Sequence, residues 1–309
     1  MAVVQEIQES LAGLKLGSPQ SHVNLAVFPL LGESAISTNY LLLDEALERK
    51  LARVTEVSAE GRVPELAFEN GSCEKILLVD GDELVGAKQN RILNLSILVG
   101  SGQKLVIPVS CVEQGRWSWR GGEFRAARRT MFAKARARKT HHVTESLRFN
   151  GDRRSNQSDV WAGIAAKVQF CAVQSDTLAM ADVYDETAPR LRAYGDAFGP
   201  EPDQRGAVIA IDGKPIGVEL FDSAAAFARY LPKLVASYAL DAIETECGKS
   251  FVPSEDDVRR FLESIANAAG ERVAALGEGE DIRLSGEGIS AGALAANGRL
   301  VHLAGFAMA

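Results

Sequence analysis

A chain of 309 residues, 46% hydrophobic and 24% charged, has the composition of an ordinary globular protein and is long enough for two domains of roughly 100 to 200 residues. No run approaches the roughly 18 apolar residues of a membrane span, and Cys73, Cys111, Cys171 and Cys247 are too dispersed for a disulfide framework or a zinc knuckle. The formal charge of −7 conceals an asymmetry, because between Arg116 and Arg154 twelve Lys/Arg stand against three acids, a block able to attract an anion or an acidic surface, or else to pair with acids elsewhere in the chain.

The opening residues, MAVVQEIQESLAGLKLG, read as a short amphipathic helix, since acids stand where a leader peptide needs bases. A cytoplasmic protein without a membrane partner is expected. From His22 to Trp119, VNLAVFPL, LARVTEV, VPELAFEN, EKILLVD, RILNLSILV and KLVIPVSCVE alternate loosely between apolar and polar residues with Gly, Asn, Asp and Ser in the gaps, as antiparallel strands do. One early helix interrupts them, STNYLLLDEALERKL, with Ser37 or Thr38 as its N-cap. FRAARRTMFAKARARK then has helix-forming composition but only Phe124, Met131 and Phe132 as large apolar residues, so it is either a solvent-facing helix or an arm that a partner orders. Trp161, Ile164, Val168, Cys171 and Leu178 fall on one face of a long helix.

Beyond Gly199, AVIAIDGKPIGVELF predicts a hairpin turning at Asp212-Gly213. A helix containing Pro232 follows, then one opened by Ser254 and three acids, and a tail of short strands turning at Asn297-Gly298. The expected fold is α+β: an antiparallel β-sandwich or barrel-like region with one early helix over 1–122, a basic helical segment and long amphipathic helix over 123–198, and a smaller α+β region over 199–309. The last strands are expected to pair with AVIAI and VELF.

The chemistry is sought first in DGDELVGAKQNRILNLSILV. Read as two strands around a turn hinged by Gly81 and Gly86, it brings Lys88, Gln89, Asn90 and Arg91 to the start of the second strand, with Lys88 and Asn90 on one face and Gln89 and Arg91 on the other. Arg91 offers a planar fork for phosphate or carboxylate, and Gln89 both donates and accepts. The run is not a P-loop: Ala87 separates Gly86 from Lys88, and no Ser or Thr follows the lysine. A ligand site and a buried polar brace both fit it.

In CVEQGRWSWRGG, Glu113 and Arg116 can pair across a turn, and Trp117 and Trp119 share a side, either to stack a base or to close a core. In ARKTHHVTESLR, helical spacing lets His141 or His142 meet Glu145, as acid or base work requires and as a structural pair also does. HxxxH and HExxH spacings are absent, so no metal is assigned. Cys111 is either a nucleophile or a small buried hydrophobe.

VDGDELVGAKQNRILNLSILV, IPVSCVEQGRW, ARKTHHVTESLR, GVELFDS and LPKLVASYALDA together resemble the ADP-ribosylglycohydrolase- and rhodanese/phosphatase-associated protein domain family, over most of the chain from about Val23. The resemblance implies a role near NAD- or ADP-ribose-derived chemistry, as enzyme or as binding partner, and names no cofactor. Two readings stand. In one, Lys88, Gln89, Asn90, Arg91, Arg116 and Trp117 hold a phosphorylated nucleotide-like anion, with Glu113, His142 or Glu145 as acid or base. In the other, a non-catalytic module docks a protein partner or, less favoured, nucleic acid through its basic helix. Homo-oligomerisation is compatible with both.

Overall fold

Side chains alternate across a strand, and the strand Leu25–Leu31 uses that alternation to build two cores at once: Leu25 and Val27 join one apolar cluster while Ala26, Phe28 and Leu30 join another. The computed structural model describes residues 2–34, 40–245 and 251–308. Its first elements are β1 (Ala2–Val3), α1 (Gln5–Ala12), β2 (Lys15–Leu16), β3 (Gln20–His22), β4 (Leu25–Leu31), β5 (Tyr40–Leu42) and α2 (Leu43–Glu48). There follow β6 (Ala52–Glu56), β7 (Glu65–Asn70), β8 (Lys75–Leu78), β9 (Asp82–Ala87), β10 (Arg91–Leu93), β11 (Ile97–Val99), β12 (Lys104–Cys111) and β13 (Arg120–Thr130). Helices α3 (Ala133–Asn150), α4 (Gln157–Phe170) and α5 (Met180–Gly195) lead to β14 (Gln204–Ile211), β15 (Lys214–Phe221), α6 (Ala224–Thr245) and α7 (Glu255–Ala266). The chain closes with β16 (Ala269–Ala274), β17 (Glu280–Gly286), β18 (Ile289–Ala296) and β19 (Arg299–Ala307).

Ten strands form one antiparallel sheet in the order β1-β16-β17-β18-β19-β15-β14-β4-β2, with β3 also on β4. Ile7 and Leu11 of α1 and Val258, Phe261 and Ile265 of α7 cover one face; Phe227, Tyr230, Leu234 and Tyr238 of α6 cover the other. The second unit is the expected N-terminal β region. Its six strands run β13-β9-β10-β12-β7-β6, beside a three-stranded sheet β11-β8-β5. The six-stranded sheet nearly closes on itself, for Arg53 on β6 stands 3.8 Å from Glu123 on β13 at the opposite end of the strand order.

The hairpin at Asp212-Gly213 and the turn at Asn297-Gly298 occur as expected, all four residues having positive φ, and Ser254 opens α7 in a capping box with Asp257. Helix α6 runs through Pro232 as one element. Several expectations are corrected. The basic run 124–139 is no continuous helix: its first part is strand β13, paired to β9 with Phe124 buried in the barrel, because tertiary pairing overrides the helix propensity of Ala and Arg. The early helix begins at Leu43 rather than at Ser37 or Thr38, which lie outside the described residues, as does Cys247. The long helix of 161–178 ends at Phe170, and positive φ at Ala172 and Leu178 separates α4 from α5. Last, β19 pairs with VELF as expected, whereas AVIAI pairs with β15 and with β4 from the far end of the chain. No helix among the described residues is long and apolar enough to cross a membrane.

Candidate functional site

A turn at Asp80-Gly81 leads into β9, as expected, but Gly86 lies inside that strand, and a second turn at residues 88–90 carries the polar run. Its side chains therefore do not alternate across a strand; those of Gln89 and Asn90 fold inward. Gln89 Nε2 donates to the Glu113 carbonyl at 2.7 Å, and the Asn90 backbone N–H donates to Glu113 Oε2 at 3.1 Å. The same carboxylate oxygen lies 2.6 Å from Arg116 Nη2, and Oε1 accepts from Thr177 Oγ1 at 3.2 Å. Arg116 donates to the carbonyls of Ala87 at 2.8 Å and Ser118 at 2.9 Å, and to Asn90 Oδ1 at 3.0 Å. Arg91 gives Nη1 to Gln89 Oε1 at 2.9 Å and Nε to the Val63 carbonyl at 3.1 Å.

The structure thus gathers Gln89, Asn90, Arg91, Glu113 and Arg116, and buries all five. Burial alone pushes the Glu113 carboxyl up, but the Arg116 guanidinium and the Asn90 N–H outweigh it and hold the group below the ordinary glutamate range. Glu113 is therefore a carboxylate whose oxygens are already engaged, as a buried charge must be. Two donors are left over: Arg91 Nη2 and Arg116 Nε are buried and have no hydrogen-bond partner among the described residues. Arg91 stacks over the Trp117 ring at 5.5 Å, and Lys88 Nζ sits 5.3 Å from Trp117 and 5.2 Å from Trp119. Both indoles are about half exposed, and the cations occupy part of their faces.

The third expected group stands apart. On α3, His141 meets Glu145 at 3.6 Å with both side chains nearly half exposed, whereas His142 lies 3.9 Å from Asp159 of α4. Burial lowers the His142 pKa in spite of Asp159. Cys111 is fully buried, and burial pushes its thiol up.

The same sequence runs hold a second, deeper network that alternation and spacing did not reveal. Asp80 pairs with Lys139 and lies 3.5 Å from Arg136 Nη2, while Arg136 Nη1 holds Glu219 Oε1 at 2.5 Å; all four side chains are buried. Burial opposes the charge on Asp80, yet Lys139 and Arg136 keep its pKa low; burial brings Lys139 down to about 8 against the pull of Asp80. Asp82 meets Lys233 of α6 at 3.2 Å. Between the two acids Gly81 has φ +85°, and a Cβ there would fall 2.7 Å from Thr130 Oγ1 and 2.8 Å from Arg136 Nε. The available signal was the juxtaposition of runs: DGD, ARKT and GVEL each place a charge beside apolar residues, where burial demands a partner from another run.

An open cleft of about 1320 Å³ lies between α2, β6 and β13. Gly86 forms part of its wall with φ +139°, and β13 approaches so closely that a Cβ would meet the Glu123 carbonyl at 2.7 Å. Arg116 also reaches the Gly86 carbonyl at 3.3 Å, so the Glu113 network braces this wall. Around the cleft Arg53 and Lys104 share Glu69, and Arg120 stands 3.8 Å from Glu113. Exposed Lys50 and Arg125 have no acid within ion-pair distance among the described residues.

The family model of the ARG and Rhodanese-Phosphatase-superfamily-associated Protein domain, ARPP-1, matches residues 13–306. No curated protein and no solved structure matches the chain.

Proposed function

The chain belongs to the ARG and Rhodanese-Phosphatase-superfamily-associated Protein domain family, and from that premise we propose that it is a binding module that docks an acidic segment of a protein partner in the cleft beside β13. The observation that carries this reading is the pair of unpartnered cations, Lys50 and Arg125, lining a cleft whose other lining charges all stand in ion pairs. Two free positive charges beside an open groove favour a negative occupant and speed its approach. The basic element is thus the first part of the Arg116–Arg154 block, a strand, in place of a helix. A reducing, cytoplasmic setting accords with the free thiols of Cys73, Cys111 and Cys171.

A fluorescent ten-residue glutamate-rich peptide is expected to raise its anisotropy on binding at low ionic strength, and to bind about tenfold more weakly to a Lys50→Glu/Arg125→Glu variant. Absence of binding at low salt, or equal binding by the variant, refutes the reading. Tight, salt-sensitive binding of labelled RNA with no peptide binding would favour nucleic acid instead.

The phosphorylated nucleotide-like ligand, of the ADP-ribose or NAD class, keeps one observation in its favour: the spare Arg91 Nη2 beside the Trp117 face. A ligand that binds only the folded state must stabilise it. Millimolar ADP-ribose should then raise the melting temperature by a few degrees in the parent protein and leave Trp117→Ala unshifted; a flat response in the parent ends this reading.

A further inference from the structure

The register between β15 and β19 sets Phe221 opposite His302, which places Glu219, two residues along, on the same face as the imidazole. His302 Nε2 stands 3.2 Å from Glu219 Oε2. On its other side His302 Nδ1 lies 2.9 Å from the hydroxyl of Ser96, the residue that leads into β11. Ser96 Oγ already accepts the Asp80 backbone N–H at 3.0 Å, so its hydroxyl proton is free to point at Nδ1. Glu219 and His302 are fully buried, while Ser96 is only half-buried and opens into a small pit lined also by Asp80, Thr140, Arg283 and Gly292.

We propose that Ser96 is a nucleophile for acyl transfer, with His302 as its general base, Glu219 as the positioning residue behind the imidazole, and the pit as the pocket for the developing oxyanion. A nucleophile within hydrogen-bond reach of a base that a third group orients is the arrangement such chemistry needs, and it is recognised by geometry, not by chain order. Here the imidazole presents Nδ1 to the serine in a hydrogen bond and Nε2 to the acid at 3.2 Å, a charge contact whose angle makes no hydrogen bond. The pit measures about 10 Å³, room for one oxygen atom or water. Two donors serve it: Thr140 Oγ1 is buried without a partner, and Arg283 is held from behind by Asp281, at 2.7 Å from Nε and 2.6 Å from Nη2, leaving Nη1 toward Gly292. A pit of that size takes the carbonyl oxygen alone and leaves the acyl chain and the alcohol outside it.

In the reaction Ser96 Oγ bonds to the ester carbonyl carbon as its proton passes to His302 Nδ1, and the carbonyl oxygen becomes the oxyanion in the pit. The carbon–oxygen bond to the alcohol then breaks, and that alcohol takes the proton back from His302. Water, deprotonated in the same way, attacks the acyl-serine and releases the carboxylic acid, restoring Ser96.

The test uses the full chain with an alkyl fluorophosphonate, which loses fluoride to an activated serine, and with p-nitrophenyl acetate. The expected result is a phosphonate on the Ser96 peptide by mass spectrometry, and ester turnover that falls about 100-fold or more in Ser96→Ala and His302→Gln. Circular dichroism should show Ser96→Ala folded as the parent. In Glu219→Gln labelling of Ser96 should persist, while kcat for p-nitrophenyl acetate falls with KM unchanged; an unchanged kcat removes Glu219 from the relay. A folded parent without label on Ser96, or ester turnover equal in Ser96→Ala, overturns the proposal.

Discussion

Arg136→Met is expected to lower the unfolding free energy by about 3 to 5 kcal/mol, read from the urea midpoint at neutral pH. The guanidinium lies fully buried between Glu219 at 2.5 Å and Asp80 at 3.5 Å. Methionine fills much of the same volume but leaves the Glu219 carboxylate buried without its cation, and that stranded charge carries most of the loss. Asp80 keeps Lys139 and suffers less. The double variant Arg136→Met/Glu219→Met should therefore be more stable than Arg136→Met alone, because removing both charges also removes the need to desolvate either. A double variant less stable than the single one would mean that Glu219 holds the fold through other contacts, with His302 the first suspect.

That network shows what a sequence exposes and what it hides. The strands of the barrel, the hairpin at Asp212-Gly213 and the cap at Ser254 were legible because each rests on neighbours in the chain: alternation, a turn dipeptide, a serine followed by acids. The basic strand was not legible. RGGEFRAARRT offers Ala and Arg to a helix, and only pairing with β9, some forty residues earlier, decides for a strand. The meeting of Gln89, Asn90 and Arg91 with Glu113 and Arg116 was inferred from their unusual placement in apolar runs, and they do meet. His142 was chosen for its helical spacing to Glu145, but Glu145 meets His141, and His142 stands 3.9 Å from Asp159, between α3 and α4. Ser96, Glu219 and His302 come from three distant runs, and none carries a local signature. Register between β15 and β19 sets Glu219 beside His302, and the turn before β11, in another sheet, brings Ser96 to them.

Glu113→Ala separates a brace from an acid catalyst. As a brace, Glu113 neutralises buried Arg116 and accepts the Asn90 N–H and the Thr177 hydroxyl; its removal strands a cation and should cost about 3 to 5 kcal/mol of stability in urea unfolding. Glu113→Gln keeps the shape and one acceptor, so its loss should be smaller, about 1 to 3 kcal/mol. The pH dependence follows from the lowered carboxyl pKa. Because the folded value lies below the ordinary 4.5, the ionised group stabilises the fold fully above that pH, and the contribution fades as pH falls through the folded value. The gap between parent and Glu113→Gln should accordingly be widest near neutrality and shrink toward pH 3. Both variants should also loosen the Gly86–Ala87 carbonyls that Arg116 holds, and with them the β13 wall of the cleft, so peptide affinity and stability should decline together. A Glu113→Gln protein as stable as the parent at neutral pH would show that the carboxylate is not kept for the fold, and would return Glu113 to the list of candidate catalytic groups.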